Sequence, residues 1–204
     1  DLIKNAGIPL VLVACWDENF PIPQIGFSNE MGAASVVEHL VGLGHKNIGA
    51  IAASQATNER AEARLRGIRD TLHLHGLALK KENIFRCEFN FENGGLGLRK
   101  LVNQDDAPTA IICGSDMLAA GAMFEAQRMG LVVPNDISIT GFDDIELSSQ
   151  IHPQLTTVRT PRREVAAQTA QLLIDNLSGK RDLGSIKLET KLMIRASTAT
   201  PKSD

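Results

Sequence analysis

Residues 137–159 read ISITGFDDIELSSQIHPQLTTVR, and their pattern sets the fold class. Ile137, Ile139 and Thr140 belong to a β-branched run that predicts a strand stopping abruptly at Gly141 and delivering two adjacent carboxylates, Asp143 and Asp144. Open α/β sheets bind ligands in the crevice beyond the carboxyl ends of their strands, so this strand end is a candidate site. Successive side chains of an extended chain point to opposite faces. The two acids are therefore not expected to share one proton or one metal. We expect one ligand-facing acid, Asp143, with its neighbour capping the turn or helix that follows. The plainer alternative is that both acids cap and solvate the turn.

Outward from this stretch, strand-like and helix-like segments alternate. Residues 8–14 (IPLVLVA), 48–53 (IGAIAA), 84–89 and 109–113 are short runs suited to strands, the first and second covered on both faces. Residues 25–27 predict a brief strand and 186–194 one more. Helices are expected from Ser28 or Asn29 to Gly44, over 58–75 with Ala61, Leu65, Ile68 and Leu72 on one stripe, and over 95–103. Two more are expected, one from a Ser115 or Asp116 cap to Met129 and one from Pro161 to Leu177. No internal repeat of fixed period is present. This alternation implies a mostly parallel, doubly wound α/β sheet with helices on both faces.

The 204 residues suffice for one large α/β domain or two lobes. Hydrophobic residues make up 43% and charged residues 22%, ordinary values for a globular protein. No apolar run approaches the roughly 18 residues of a membrane span. A net charge of −3 with dispersed Lys and Arg gives no phosphate-binding patch, so this segment alone is not expected to grip DNA. Cys15, Cys87 and Cys113 read as buried thiols in a reducing compartment. Neither the cysteines nor the five histidines have metal-ligand spacing, and no cofactor loop or nucleophile elbow is present. No metal, cofactor or catalytic residue is expected.

Among the remaining polar and aromatic residues, Arg64 lies on a helix expected to begin at the same sheet edge as Asp143. Its planar fork suits vicinal hydroxyls or a carboxylate, although a solvated helix face is the commoner use. Phe89 and Trp16 lie at or just past strand ends in a chain with 4% aromatics and no Tyr. Either can stack on a ligand ring, or simply pack.

Several motifs then agree in order and spacing. They include Asn29-Glu30-x-Gly32-Ala33, Leu43-Gly44-His45, Arg64-Leu65-Arg66-Gly67, Ser115-Asp116-x-x-Ala119-x-Gly121-Ala122, Gly141-Phe142-Asp143-Asp144, Leu155-Thr156-Thr157-Val158 and Arg195-Ala196-Ser197-Thr198. Together they resemble the effector domain of LacI/GalR-type bacterial transcription regulators over nearly the whole chain. The resemblance implies the periplasmic-binding-protein type I architecture, two α/β lobes joined by three crossovers. The proximal lobe would be a remnant, residues 1–27 and 159–180, and the distal lobe residues 28–158 and 181–204. The helix-turn-helix, the hinge helix and the first proximal strands would be absent, leaving DNA to be bound only by the missing part.

By the same resemblance Arg64, Asp143, Phe89 and Ser115 would contact the effector, with Trp16 a further candidate. Ser115 stands where many sugar-responsive members have Asn, and Ala14-Cys15-Trp16 replaces a position often held by Asp. The implied protein is a cytoplasmic, non-catalytic homodimer that senses a sugar or sugar acid. Its dimer contact would involve residues 116–129 and 148–152, although Met117, Leu118, Met123 and Phe124 could equally be core. An exported sugar-binding protein feeding a transporter is the alternative, and an enzyme using Asp143 and Asp144 as acid and base is a third reading.

Overall fold

The computed structural model describes residues 10–53, 58–179 and 184–202. Strands β1 (Leu12–Val13) and β2 (Gln24–Gly26) lead into α1 (Asn29–Gly42), β3 (Ile48–Ala53), α2 (Glu59–Leu74), β4 (Ile84–Cys87) and α3 (Phe91–Val102). There follow β5 (Ala110–Cys113), α4 (Asp116–Arg128), β6 (Ser138–Asp143), α5 (Glu146–Gln150), β7 (Thr156–Arg159), α6 (Arg162–Leu177), β8 (Ile186–Lys187) and β9 (Lys191–Met193). The chain divides into two compact units, one of Asp1–Asn29 with Thr160–Thr190, the other of Glu30–Arg159 with Lys191–Asp204. It passes between them three times, after Asn29, Arg159 and Thr190.

The larger unit is built on a six-stranded sheet of order β4-β3-β5-β6-β7-β9, parallel except for the antiparallel edge strand β9. From β3 the chain moves to one side for β4 and to the other for β5. This reversal creates a topological switch point, where the loops leaving neighbouring strands part and open a crevice. Strands buried on both faces are apolar without alternation, and all six residues of β3 and all four of β5 are buried. Ile51, Leu98, Leu101, Ile111, Leu118 and Ile139 form the centre of the core. Each such side chain contributes about 1.5–3 kcal/mol by leaving water.

The helix starts facing this crevice are capped by short polar side chains. Asn58 accepts from the Ala61 N–H, Asn90 from the Asn93 N–H and Ser115 from the Leu118 N–H. The α2 stripe of Ala61, Leu65, Ile68 and Leu72 is buried as the periodicity requires. Helix α3 begins at Phe91 rather than at the expected residue 95, because Asn90 supplies the cap and Gly94-Gly95 lies inside the helix. These glycines serve packing. A methyl group at Gly94 would overlap the Leu118 carbonyl, and one at Gly121 the Phe91 carbonyl, so α3 and α4 touch backbone to backbone.

Other expectations are corrected here. Strand β6 runs through Gly141 to Asp143, since Gly141 pairs with Thr157 and Asp143 with Arg159. The strand expected over 186–194 is two: β8 pairs in parallel with β2, and β9 joins β7 in the other sheet. Residues 184–190 therefore belong with the smaller unit, and the distal segment expected from 181 starts at Lys191. The expected strand over 8–14 reduces to Leu12–Val13 among the described residues, residues 8 and 9 lying outside them. It is the edge of the three-stranded sheet β1-β2-β8, and Val13 is exposed on it rather than covered. Cys87 and Cys113 are buried, whereas Cys15 is only half-buried. Burial holds the Cys87 thiol up to about 11.

Replacing Gly121 by Ala should destabilise the protein by about 1–3 kcal/mol through overpacking, despite the better helix propensity of Ala. Gly42, with open space around it, should tolerate Ala at no cost or gain up to about 1 kcal/mol. Urea midpoints of the two variants measure the contrast, and equal effects would refute the backbone contact.

Candidate ligand-binding site

Beyond the ends of β3, β5 and β6 lies a cavity of about 270 Å³ lined by Arg60, Arg64, Phe89, Ser115 and Asp143, with Asn58, Asp116, Met117 and Ile145 completing the wall. Four of the five expected site residues thus meet here. Trp16 belongs to the smaller unit, where its ring lies 5.6 Å from the Lys187 ammonium.

Arg64 is far from a solvated helix residue. Its guanidinium stacks over the Phe142 ring, 4.3 Å from the centroid, and donates to the Gly114 carbonyl at the end of β5. Burial lowers its pKa, the Asp143 carboxylate opposes that effect, and the Arg60 guanidinium adds to the lowering. The fork is thus held by a ring, a carbonyl and a nearby acid. Phe89 is exposed at the wall, available for stacking. Ser115 spends a lone pair on its helix cap, which leaves its hydroxyl proton to donate.

The two adjacent acids part: Asp143 lines the cavity, while Asp144 turns to other side chains and does not take the capping task expected of it. Both have left-handed backbone, φ 112° at Asp143 and 53° at Asp144, which turns the chain sharply at the strand end. Asp144 accepts from Arg159 Nε at 2.6 Å, Arg195 Nη2 at 2.6 Å and Ser148 Oγ at 2.8 Å. It does not cap α5, whose leading residue Ile145 has no side-chain cap bond. Burial alone would raise the Asp144 pKa, but the hydrogen bonds from Arg195, Arg159 and Ser148 outweigh it and hold the acid below the ordinary carboxylate value.

Asp116 is the residue whose role sequence reasoning missed. Its side chain passes over Gly141, where any Cβ would collide with Oδ1. Oδ1 accepts from Thr157 Oγ1 at 2.5 Å and Oδ2 from the Ile145 N–H at 2.7 Å. Burial pushes its pKa up to about 6, against these two hydrogen bonds. Arg60 was also passed over, although its position four residues before Arg64 on one helix is the signal that both reach the same side. Among the described residues no group of three or more His, Cys, Asp or Glu is arranged to hold a metal ion.

A parallel α/β sheet with a polar cavity at its switch point defines a class of ligand-binding module. The chain belongs to the periplasmic binding protein-like domain family, whose sequence pattern matches residues 37–198, and the solved structures similar to it include LacI-family regulators. It is 35% identical over 191 residues to the HTH-type transcriptional repressor CytR of Escherichia coli K12, matching 93% of this chain and 56% of that protein. A putative LacI transcriptional regulator from Bacillus cereus subsp. cytotoxis superposes with a TM-score of 0.91 at 28% identity, covering 98% of this chain and 72% of the other. A LacI-family regulator from Enterococcus faecium, solved with bound ribose, superposes with a TM-score of 0.88 at 26% identity, covering 98% and 74%. The chain thus spans little more than half the length of the curated relative.

Removing Asp144 would leave Arg195, whose side chain is only 13% exposed, without its counter-charge. Asp144→Ala should therefore cost about 3 kcal/mol of unfolding free energy, more than Asp143→Ala, which removes one acid from beside Arg64 and no two-arginine clamp. Because the folded pKa of Asp144 is depressed, its stabilisation is full above the unfolded value of about 3.9 and is lost as pH falls toward the folded one. Urea titrations between pH 2 and 7 should show a shallower acid limb in Asp144→Asn, and an unchanged limb would contradict the clamp.

Proposed function

We propose that this chain is the effector-sensing and dimerisation domain of a LacI-type transcription regulator, binding a sugar or sugar acid. The observation that carries the reading is the meeting of Arg64 and Asp143 across a polar cavity at the switch point, with Phe89 at its wall. An arginine fork and a carboxylate supply donors and acceptors to adjacent hydroxyls, and an aromatic face covers the apolar side of a sugar ring. The role is non-catalytic and the setting cytoplasmic. The effector acts by linkage: it binds two lobe arrangements with different affinity and so biases the DNA-binding state of the whole regulator. A ratio of 10-fold corresponds to about 1.4 kcal/mol.

Dimerisation would use the surface around α4 and α5. The α4 side chains divide between two roles: Leu118 and Met123 are buried, while Met117 and Phe124 are exposed. The Phe124 ring lies 6.3 Å from that of Phe91. It also borders a second cavity of about 390 Å³ with Met123, Leu131, Val132, Ile151 and Pro153. Exposed apolar side chains contiguous with such a depression suit a self-complementary contact.

A ligand that binds only the native state raises its melting temperature. In the full-length regulator, a panel of sugars and sugar acids should include at least one that stabilises the wild type and releases or recruits operator DNA in a gel-shift assay. Arg64→Ala and Asp143→Ala should each abolish that stabilisation. Its retention in both variants would refute the site.

A further inference from the structure

The charges around the cavity are unevenly committed. On α2, Glu59 pairs with Arg66 at 2.7 Å and Glu62 with Arg86, so neither acid is available to the cavity. Asp144 is held by Arg159 and Arg195. Asp116 adds a second carboxylate to the lining, its two oxygens hydrogen-bonded to Thr157 and Ile145. Facing Asp143 and Asp116, the wall carries two guanidinium groups, Arg60 and Arg64. Arg64 is anchored on Phe142 and Gly114, whereas Arg60 is exposed and has no ion pair among the described residues. The starts of α2 and α4, at Asn58 and Ser115, border the same space and add the positive ends of their helix dipoles. A neutral polyol would leave the Arg60 guanidinium without a partner of opposite charge.

We propose that the ligand of this cavity carries an anionic group, a carboxylate or a phosphate, beside its hydroxyls, and that Arg60 is the residue that reads it. The proposal rests on the sugar-binding reading of the cavity and narrows it. Arg64 and Asp143 fix the hydroxyls. The Arg60 fork, one helical turn nearer the start of α2, closes on the anion with two parallel N–H donors, a geometry that Lys cannot reproduce.

Thermal stabilisation of the full chain is measured with D-gluconate against D-glucose and with D-ribose 5-phosphate against D-ribose, in wild type, Arg60→Gln and Arg60→Lys. The exposure of Arg60 lets both variants fold. In at least one pair the anion should bind the wild type on the order of tenfold more tightly than its neutral partner. Which pair shows the preference tells carboxylate from phosphate. The preference should fall to near parity in Arg60→Gln, persist only in part in Arg60→Lys, and weaken as salt is raised. Neutral sugars that bind as tightly as their acids, or a preference unchanged in Arg60→Gln, would overturn the proposal while leaving the sugar-binding reading intact. Stabilisation by none of the four ligands would overturn the anion reading, and stabilisation by no member of the wider sugar panel would overturn both.

Discussion

The carboxylate of Asp116 ties together the elements that make the cavity. It projects from the first residue of α4, crosses the bare backbone of Gly141 on β6, bonds the Thr157 hydroxyl on β7 and takes the N–H of Ile145 ahead of α5. Two strands and two helices are thereby registered against one buried acid. Two hydrogen bonds satisfy an acid whose burial would otherwise be costly, and its elevated pKa records what remains of that cost. Gly141 and Thr157, directly opposite each other in the ladder, are the small residue and the hydroxyl that this contact needs.

Next to this peg, the chain turns through two residues with positive φ, neither of them glycine. Such backbone costs on the order of 1–3 kcal/mol per residue and persists only where its surroundings over-determine it. Asp144 provides that hold. Its contacts with Arg159, on the strand beside β6, and with Arg195, beyond β9, pin the turn from two sides. Asp143 is thereby set at the cavity wall, opposite an arginine oriented by Phe142 and Gly114. Adjacent acids thus do unlike work, one holding the backbone and the other bordering the space where a ligand fits.

Much of this was legible in the sequence, and the limits have physical reasons. The α2 stripe, the buried strands β3 and β5 and the strand leading to Asp143 are local patterns, and local patterns survive folding. Gly94 read as lying before its helix because the reason for it, the approach of Leu118 on α4, comes from about two dozen residues further on. Asp116 looked like a cap because its partners at 145 and 157 are invisible to local reading. The same holds for Asp144 and Arg195, 51 residues apart. The tail misled because one strand-like run serves two sheets in succession, leaving β2 at Lys187 and joining β7 at Lys191. Arg64 was judged by its helix alone as solvent-facing, and only the position of β5 beside α2 shows what holds it.

The division of labour between the two acids links sequence, turn and function, and carboxyl 13C NMR resolves them individually. In a titration with whichever sugar or sugar acid stabilises the protein, the Asp143 carboxyl resonance should move and saturate with the dissociation constant found thermally. The Asp144 resonance, fixed by Arg159 and Arg195, should stay in place. Saturable binding that leaves Asp143 unmoved would contradict this account of the site.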